Sequence, residues 1–226
     1  MENCKVFIST IPFLQEGKLS PVVYKPIGNS RLEYSKETRF PIIPLINGYA
    51  NRGDKVRVLA ILADGEMSNA VNTKRNFYAY FEPEISDLVR QNGLELENIE
   101  KIFTPDSEDI DSHLKLFSDI AEAINPGEDV YACITYGTKP MPIVLTMALN
   151  YVYKLKKDIS IGCTVYGRFP HIDEDTKTSF IYDTTSLFYM DSIVNKLSTM
   201  RASDPAKVIK LMLGYETTED TCNGVE

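Results

Sequence analysis

The sequence has few of the residues that metal sites and nucleophilic catalysis use. Its 226 residues include two histidines, His113 and His171, and four cysteines, none of them in a CxxC pair. So few histidines and unpaired cysteines argue against a zinc site and leave few bases for a Ser/His/Asp triad. We therefore expect neither a metal nor a cofactor. The cysteines fit free thiols in a reducing, cytoplasmic compartment; they are Cys4, Cys133, Cys163 and Cys222.

Several familiar sequence signals are also missing. No apolar run reaches the roughly 18 residues of a membrane-spanning helix. The segment MENCKVFIST has neither a basic nor an apolar leader region, so we expect no secretory signal. The chain contains no GxG triplet and no GxxxxGK[ST] segment, which excludes the dinucleotide fingerprint and the P-loop.

Positive charge is in short supply. The chain has 24 Lys and Arg against 32 Asp and Glu, a net charge of −8 and a pI near 4.9. Four acids and no base lie in residues 214–226, so half of the excess belongs to the C-terminal tail. This balance lacks the basic footprint of a general nucleic-acid binder. A small phosphorylated ligand stays possible, because a few N–H groups and one or two cations suffice to bind it.

Short β-rich runs alternate with longer runs of helical periodicity. Strands are predicted at Cys4–Ile11, Lys55–Leu62, Ile99–Thr104, Val130–Thr135 and Ile159–Tyr166. Helices are predicted at 77–93 with a kink or a second start at Pro83, at 110–124, at Pro140–Lys157, at Ser186–Met200 and after Ser203. The alternation predicts an α/β, Rossmann-like, open and mostly parallel sheet with helices on both faces. We assign residues 1–200 to one ligand-binding domain and 201–226 to a short helix and an acidic tail, a possible linker.

The segment Gln15–Arg39 interrupts this rhythm. It contains two glycines and two prolines and is predicted to be a long loop, with a small hairpin around Leu19–Tyr24. A long loop after a first strand can shape a binding site or can be a plain surface insertion, and both interpretations stay open.

Ligands of open parallel sheets bind outside the carboxyl ends of the strands. The strongest candidate there is the segment after the fourth predicted strand, Thr135-Tyr136-Gly137-Thr138-Lys139. Gly137 can expose successive N–H groups, two threonines add hydroxyls, Lys139 adds a cation, and a helix begins at the next residue. This combination suits an anion such as a phosphodiester. The alternative is a tight turn with a solvated lysine, and Tyr136 either stacks on a base or packs in the core.

Other predicted strands end in further candidate residues. The first ends in Ser9, Thr10, Ile11 and Pro12, and the second is followed by Gly65, Glu66, Ser68 and Asn69. The latter group can face a base or ribose, or can form a turn and a helix cap. Arg168 follows the fifth strand and can pair with a phosphate or with a surface acid. His171 is predicted to be a loop residue rather than a general base.

The strand, the T-x-G-x-K turn and the proline-rich helix start resemble the CARF domain of type III CRISPR systems. The resemblance covers residues 4–200, and the loops at Ser9–Pro12 and Asp64–Asn69 lie where that family has its other ligand loops. Cys133 stands where the family often has Asp or Asn. The resemblance implies a homodimer that holds a cyclic tetra- or hexa-adenylate on its two-fold axis, with Lys139 and Gly137 at phosphate or ribose and Ser68 and Asn69 at adenine.

Three functions follow as hypotheses. The first is a cyclic oligoadenylate sensor; the chain lacks the R-x(4–6)-H motif of the family's RNase effectors, so we expect no such effector in it. The second is a metal-independent ring nuclease using Ser9, Thr10 and Lys139; it lacks general-base help, since no histidine is expected in the pocket. The third is an enzyme acting on a mononucleotide.

The helix Pro140–Lys157 is apolar around most of its circumference. A helix packed only on its own sheet needs one apolar stripe, so its outer face requires a second cover. A partner subunit, giving a C2 homodimer, and the C-terminal helices are the two candidates.

Overall fold

The computed structural model describes residues 4–168, 178–200 and 203–212. The chain divides into two compact units, Met1–Thr185 and Ser186–Glu226. His171 and Cys222, together with the tail after Met212, lie outside the described residues.

The first unit alternates strands and helices. Its strands are β1 (Lys5–Thr10), β2 (Val23–Ile27), β3 (Lys55–Asp64), β4 (Glu95–Pro105), β5 (Asp129–Cys133), β6 (Ser160–Arg168) and β7 (Thr178–Asp183). Its helices are α1 (Ile42–Tyr49), α2 (Ser68–Asn76), α3 (Glu82–Asn92), α4 (Ile110–Ala123) and α5 (Pro140–Leu155), with a 3-10 turn at Ser30–Leu32 and a π-helical turn at Phe77–Phe81.

The strands form one seven-stranded sheet in the order β2-β7-β6-β5-β1-β3-β4. Every neighbouring pair is parallel except β6 and β7. The fold is therefore α/β with an open, mostly parallel, Rossmann-like sheet, as the alternation of elements predicts.

The central strands are continuous apolar runs because helices cover both of their faces. On one face, α1 contacts β1, β5 and β6 and packs against α3. There the ring of Phe7 stacks on that of Tyr131 at 4.8 Å. On the other face, α4 packs on α5. Helix α4 contacts β4, and helix α5 contacts β6. The two layers hold the carboxyl ends of the central strands at one open edge.

Some elements differ from the expectations. The hairpin predicted at Leu19–Tyr24 is wrong, because β2 pairs in parallel with β7, and Val22 forms only an isolated bridge to Thr38. Strand β7 itself was not predicted. Nor was α1, whose sequence includes Pro44 and Gly48, residues of low helix propensity.

A continuous helical run connects β3 to β4. Helix α2 passes through the π-helical turn into α3, which has Pro83 in its first turn and Gly93 at its C-cap with φ +65°. Pro83, where a kink or a second start is predicted, lies in the first turn of α3 directly after the π-helical turn, and the predicted stop at Gly93 is confirmed.

The second unit contains α6 (Thr185–Met200) and α7 (Pro205–Met212). The carboxylate of Asp204 accepts a hydrogen bond from the amide of Lys207 at 3.0 Å, which caps α7. Within the described residues, no helix combines the length and apolarity needed to cross a membrane.

A buried ion pair lies at the amino edge of the sheet, away from the candidate site. The guanidinium of Arg57 pairs with Glu128 on one nitrogen and, at 3.0 Å, with Glu100 on another. It also donates to the carbonyl oxygen of Ala123 at 3.1 Å. Glu128 accepts from the amide of Asn125 at 2.6 Å, so its charge is neutralised and hydrogen-bonded.

We predict that Arg57→Met lowers the free energy of unfolding by about 3–5 kcal/mol, since it leaves the Glu128 carboxylate buried without its cation. Urea denaturation measures the change. Glu100→Gln is the matched control and should lose about 1 kcal/mol or less, because Glu100 is partly exposed. Equal losses in the two variants would contradict this assignment.

Candidate functional site

The candidate site lies where the strand order reverses. In the sheet, β3 and β4 lie on one side of β1, whereas β5, β6 and β7 lie on the other side. A crevice at the carboxyl ends of β1 and β5 is the usual ligand position in open α/β sheets. The two loops that border this crevice are the ones after β1 and β5.

The turn after β5 is built around Gly137, whose φ is +105°. A Cβ at this position would lie 2.8 Å from Sδ of Met141 and 3.1 Å from Cγ2 of Thr10. Only glycine fits this combination of backbone angle and close approach. The structure thus brings together Thr10 and Gly137, two predicted site residues from different loops.

Thr135 and Tyr136 fix the start of the turn through hydrogen bonds to other segments. Oγ1 of Thr135 accepts a hydrogen bond from the amide of Gly167 at 2.8 Å, which ties the end of β5 to β6. Tyr136 is buried, and its hydroxyl donates to the carbonyl oxygen of Arg39 at 2.5 Å. Burial raises the pKa of Tyr136 well above its usual value, so it stays a neutral donor. Of the two interpretations of Tyr136, packing in the core is the one observed.

The exposed part of the turn is Gly137 and Lys139. Lys139 is the N-cap residue of α5, and Pro140 opens the helix. The amide of Thr138 donates to Sδ of Met141 at 3.4 Å. A thioether is a weak acceptor, so a phosphate oxygen could displace it from this amide at little cost.

The loop after β1 is buried rather than open. Ser9, Thr10, Ile11 and Pro12 are all buried, and the hydroxyl of Ser9 donates to the carbonyl oxygen of Thr10 at 3.2 Å. The buried amide of Asn76 donates to the carbonyl oxygens of Pro12 and Leu14, both at 2.9 Å. These contacts fix the loop, so Ser9–Pro12 form the rigid wall beneath the turn.

The segment after β3 is more open. Gly65 has φ +111° and donates its amide to the carboxylate of Asp64, while Glu66 and Ser68 are exposed. The amide of Asn69 donates to Asp106 at 2.9 Å and so ties α2 to the end of β4. Glu66 and Ser68 are accessible to a ligand, whereas Asn69 has a structural contact.

Arg168 ends β6 and is half-buried. It pairs with Phe180 in the antiparallel register between β6 and β7, and its carbonyl oxygen accepts from the hydroxyl of Ser179. Arg168 therefore lies at the end of the strand next to β5, beside the turn that follows β5.

A histidine, His113, also lies at this edge of the sheet. A cavity of about 10 Å³ lies beneath the loops and is shared by His113, Thr138, Met141, Phe13 and Asp106. Its volume is that of about one water molecule. Helix α4 begins where β4 ends, so its first turn returns to the carboxyl edge. That topology, visible from the order of predicted elements, is the signal that points to His113.

The imidazole of His113 has a carboxylate beside it. Its Nε2 lies 3.4 Å from Oε2 of Glu108, and 18% of its side chain is exposed. Asp109 caps α4 by accepting from the amide and hydroxyl of Ser112. Hydrogen bonds from Ser107 and Ser112 lower the pKa of Asp109 to about 2, so this cap is ionised at neutral pH.

A larger groove of about 460 Å³ lies elsewhere, between the edge strand β4 and α4. Charged side chains of both signs line it, among them Lys101, Lys115, Asp119 and Glu122. None of the predicted site residues borders this groove, so its size does not make it the candidate site.

Comparison with protein-family models and with curated protein sequences gives no match to this chain. The candidate site is a glycine turn at the switch point, with an exposed lysine and a nearby histidine.

We predict that Gly137→Ala lowers the free energy of unfolding by about 1–3 kcal/mol, because the added Cβ meets Met141 and Thr10 in a strained backbone conformation. Gly127→Ala is the matched control. Gly127 has φ +82°, but no atom lies within 4 Å of the position of an added Cβ. The loss in this variant therefore measures the cost of backbone strain without the cost of a steric clash. Urea denaturation should show the larger loss for Gly137→Ala, and equal losses would mean that the packing around the turn is unimportant.

Proposed function

We propose that this chain is a cyclic oligoadenylate-binding sensor domain of type III CRISPR antiviral signalling, cytoplasmic, with the ligand on the two-fold axis of a homodimer. The observation that carries the proposal is the contact of the Gly137 turn with Thr10 at the switch point, beside exposed Lys139. There, N–H groups, a cation and the start of a helix of 16 residues lie together, the combination that favours a phosphodiester.

The size of the cavity supports a site between two copies. The space beneath the loops holds about one water, far less than a ring of several nucleotides requires. Such a ring has to lie on the outer surface of the turn. Two copies that face each other across this surface would enclose the ring and supply two lysines to its phosphates.

Helix α5 has a face that suits this assembly. Four large apolar side chains spaced four residues apart are exposed along it; they are Ile143 (62%), Met147 (58%), Tyr151 (42%) and Leu155 (69%). Helix α4 extends the patch with Leu114, and its Phe117 ring contacts that of Tyr151 at 5.4 Å. Contiguous exposed apolar surface of this kind is typical of interfaces. Because Lys139 is the N-cap residue of α5, parallel pairing of two copies through this face would bring the two turns close together.

The proposal is tested by mixing the chain with cyclic tetra-adenylate and cyclic hexa-adenylate and separating bound from free ligand by chromatography. Retention of either ring supports ligand binding, with the ring retained giving the ring size. If neither ring is retained, the proposal is overturned.

We predict that Lys139→Ala weakens binding of the retained ring by about 10-fold or more, since a charge-assisted phosphate contact contributes roughly 1.5–3 kcal/mol. Isothermal calorimetry measures the affinity. Lys157→Ala removes the same charge at the far end of α5, where the side chain is exposed, and should bind like the unmodified chain. Unchanged affinity for Lys139→Ala would remove this lysine from the site.

We predict that Met147→Glu dissociates the dimer at micromolar concentration, because it places a charge in the apolar face of α5. Light scattering measures the mass, and ligand binding should be lost together with the dimer. Ile27→Glu introduces the same charge at an exposed apolar residue of β2 and should leave the dimer intact. A chain that is monomeric before any substitution would contradict the interface, and binding that survives dissociation would place the ligand within one subunit.

A further inference from the structure

Strand β4 leaves one edge of the sheet open. It pairs with β3 on one side and is last in the strand order. Residues 100–103 of β4 all line the groove of about 460 Å³ between this strand and α4. Side chains of consecutive strand residues point to opposite faces, so a groove lined by four consecutive residues follows the backbone edge. In the part of the chain that the structure describes, these residues make no backbone–backbone hydrogen bond beyond the pairing with β3.

Both ends of β4 have features that protect a sheet edge, whereas its later middle part is open. A shift in the β3–β4 register leaves Glu97 without a partner residue in β3, which makes a charged β-bulge near the start of the strand. At the other end, Pro105 has no N–H to offer. Between them, the ammonium of Lys101 donates to the hydroxyl of Tyr78 at 3.1 Å, so this charge is turned away from the free edge.

Aromatic side chains flank the open part of the edge on one face. Nζ of Lys101 lies 5.0 Å from the ring centroid of Tyr78 and 5.2 Å from that of Phe77. Phe103 follows Lys101 by two residues, so both side chains point to this face of the sheet. Tyr78 and Phe103 are 56% and 39% exposed, and we call this pair the aromatic ledge. The ledge offers contact area to apolar side chains that lie beside β4.

The opposite face of the edge has an acidic group available. Lys115 and Asp119 line the groove and form an ion pair with each other along α4. Glu122 lies one turn further along α4, lines the same groove and is exposed. Among the described residues, Glu122 has no ion-pair partner. A basic side chain that enters the groove would therefore find a carboxylate that is free to pair with it.

We propose that the free edge of β4 binds an extended peptide of another protein, with apolar and basic residues in alternation. The peptide adds as an eighth strand, with its main chain bonded to β4, its apolar side chains on the aromatic ledge and a basic side chain at Glu122. The net charge of −8 attracts such a partner. A second copy of this chain fits less well. Residues 95–106 contain four acids and one base, so pairing of β4 with its own copy would bring like charges together.

The test mixes the full chain with a blocked, fluorescently labelled hexapeptide of alternating valine and lysine, and it measures binding by fluorescence anisotropy. We expect saturable binding and slower hydrogen exchange at the amides of residues 100–104. A hexapeptide of alternating valine and glutamate is the matched control and should bind at least about 10-fold more weakly.

Two modified peptides test the main-chain pairing. One is N-methylated at every valine and the other at every lysine, so each lacks the amide donors of one edge only. Because a single edge of the peptide pairs with β4, one of these peptides should lose binding and the other should keep it. A peptide held by its charge alone would tolerate both modifications.

A charge reversal in the chain tests the groove. Glu122→Lys should weaken binding of the valine–lysine peptide by about 10-fold or more. Glu16→Lys is the matched control: it changes the net charge equally at an exposed residue outside the groove, and should bind like the unmodified chain.

The proposal concerns a surface that none of the predicted ligand residues borders, so it does not depend on the binding of a ring. It is overturned if the valine–lysine peptide does not bind, if the valine–glutamate peptide binds equally well, or if both N-methylated peptides bind. Equal effects of Glu122→Lys and Glu16→Lys would also overturn it. If exchange at residues 100–104 slows when the chain alone is concentrated, a second copy occupies the edge and the peptide proposal is wrong.

Discussion

The position of β1 between β3 and β5 determines the rest of the candidate site. All six residues of β1 pair in parallel with β3, and five of them pair with β5. Parallel pairing aligns the carboxyl ends of the three strands, so their loops meet at one edge. The reversal of strand order at β1 leaves an opening between the loops after β1 and β5. The close approach of Gly137 and Thr10 is a consequence of this arrangement.

The two loops that border this opening differ in how firmly their hydrogen bonds hold them. The β1 loop is buried and held through its carbonyl oxygens by Asn76, so it is a fixed surface. The turn after β5 has an exposed glycine and lysine, and the amide of Thr138 is bonded to a weak thioether acceptor. A ligand that changes anything on binding will therefore change the turn and Met141 rather than the β1 loop. The proposed ligand binding depends on this difference.

The charge distribution agrees with a local rather than a general affinity for phosphate. The chain is acidic overall, and the carboxylates of Asp106 and Glu108 lie close to the candidate site. A long polyanion would meet this negative field at many points, whereas a small ring meets mainly the turn with its N–H groups and lysine. Pairing of two chains through α5 would double the positive charge at the ring without changing the charge elsewhere.

The sequence by itself determined the elements whose periodicity is strong and local. The apolar runs of β1, β3 and β5, the glycine turn at 135–139 and the helical spacing in α4 and α5 were all recognisable, because one buried face repeats over many residues. Tertiary structure alone decided the pairing of β2 with β7, which joins segments about 155 residues apart in the chain at Val23 and Thr178. It also decided α1, where packing against the sheet overrides the low propensities of Pro44 and Gly48. The burial of Ser9–Pro12 and the place of His113 beside Thr138 belong to the same class, since burial and proximity depend on contacts between distant segments that no local pattern encodes.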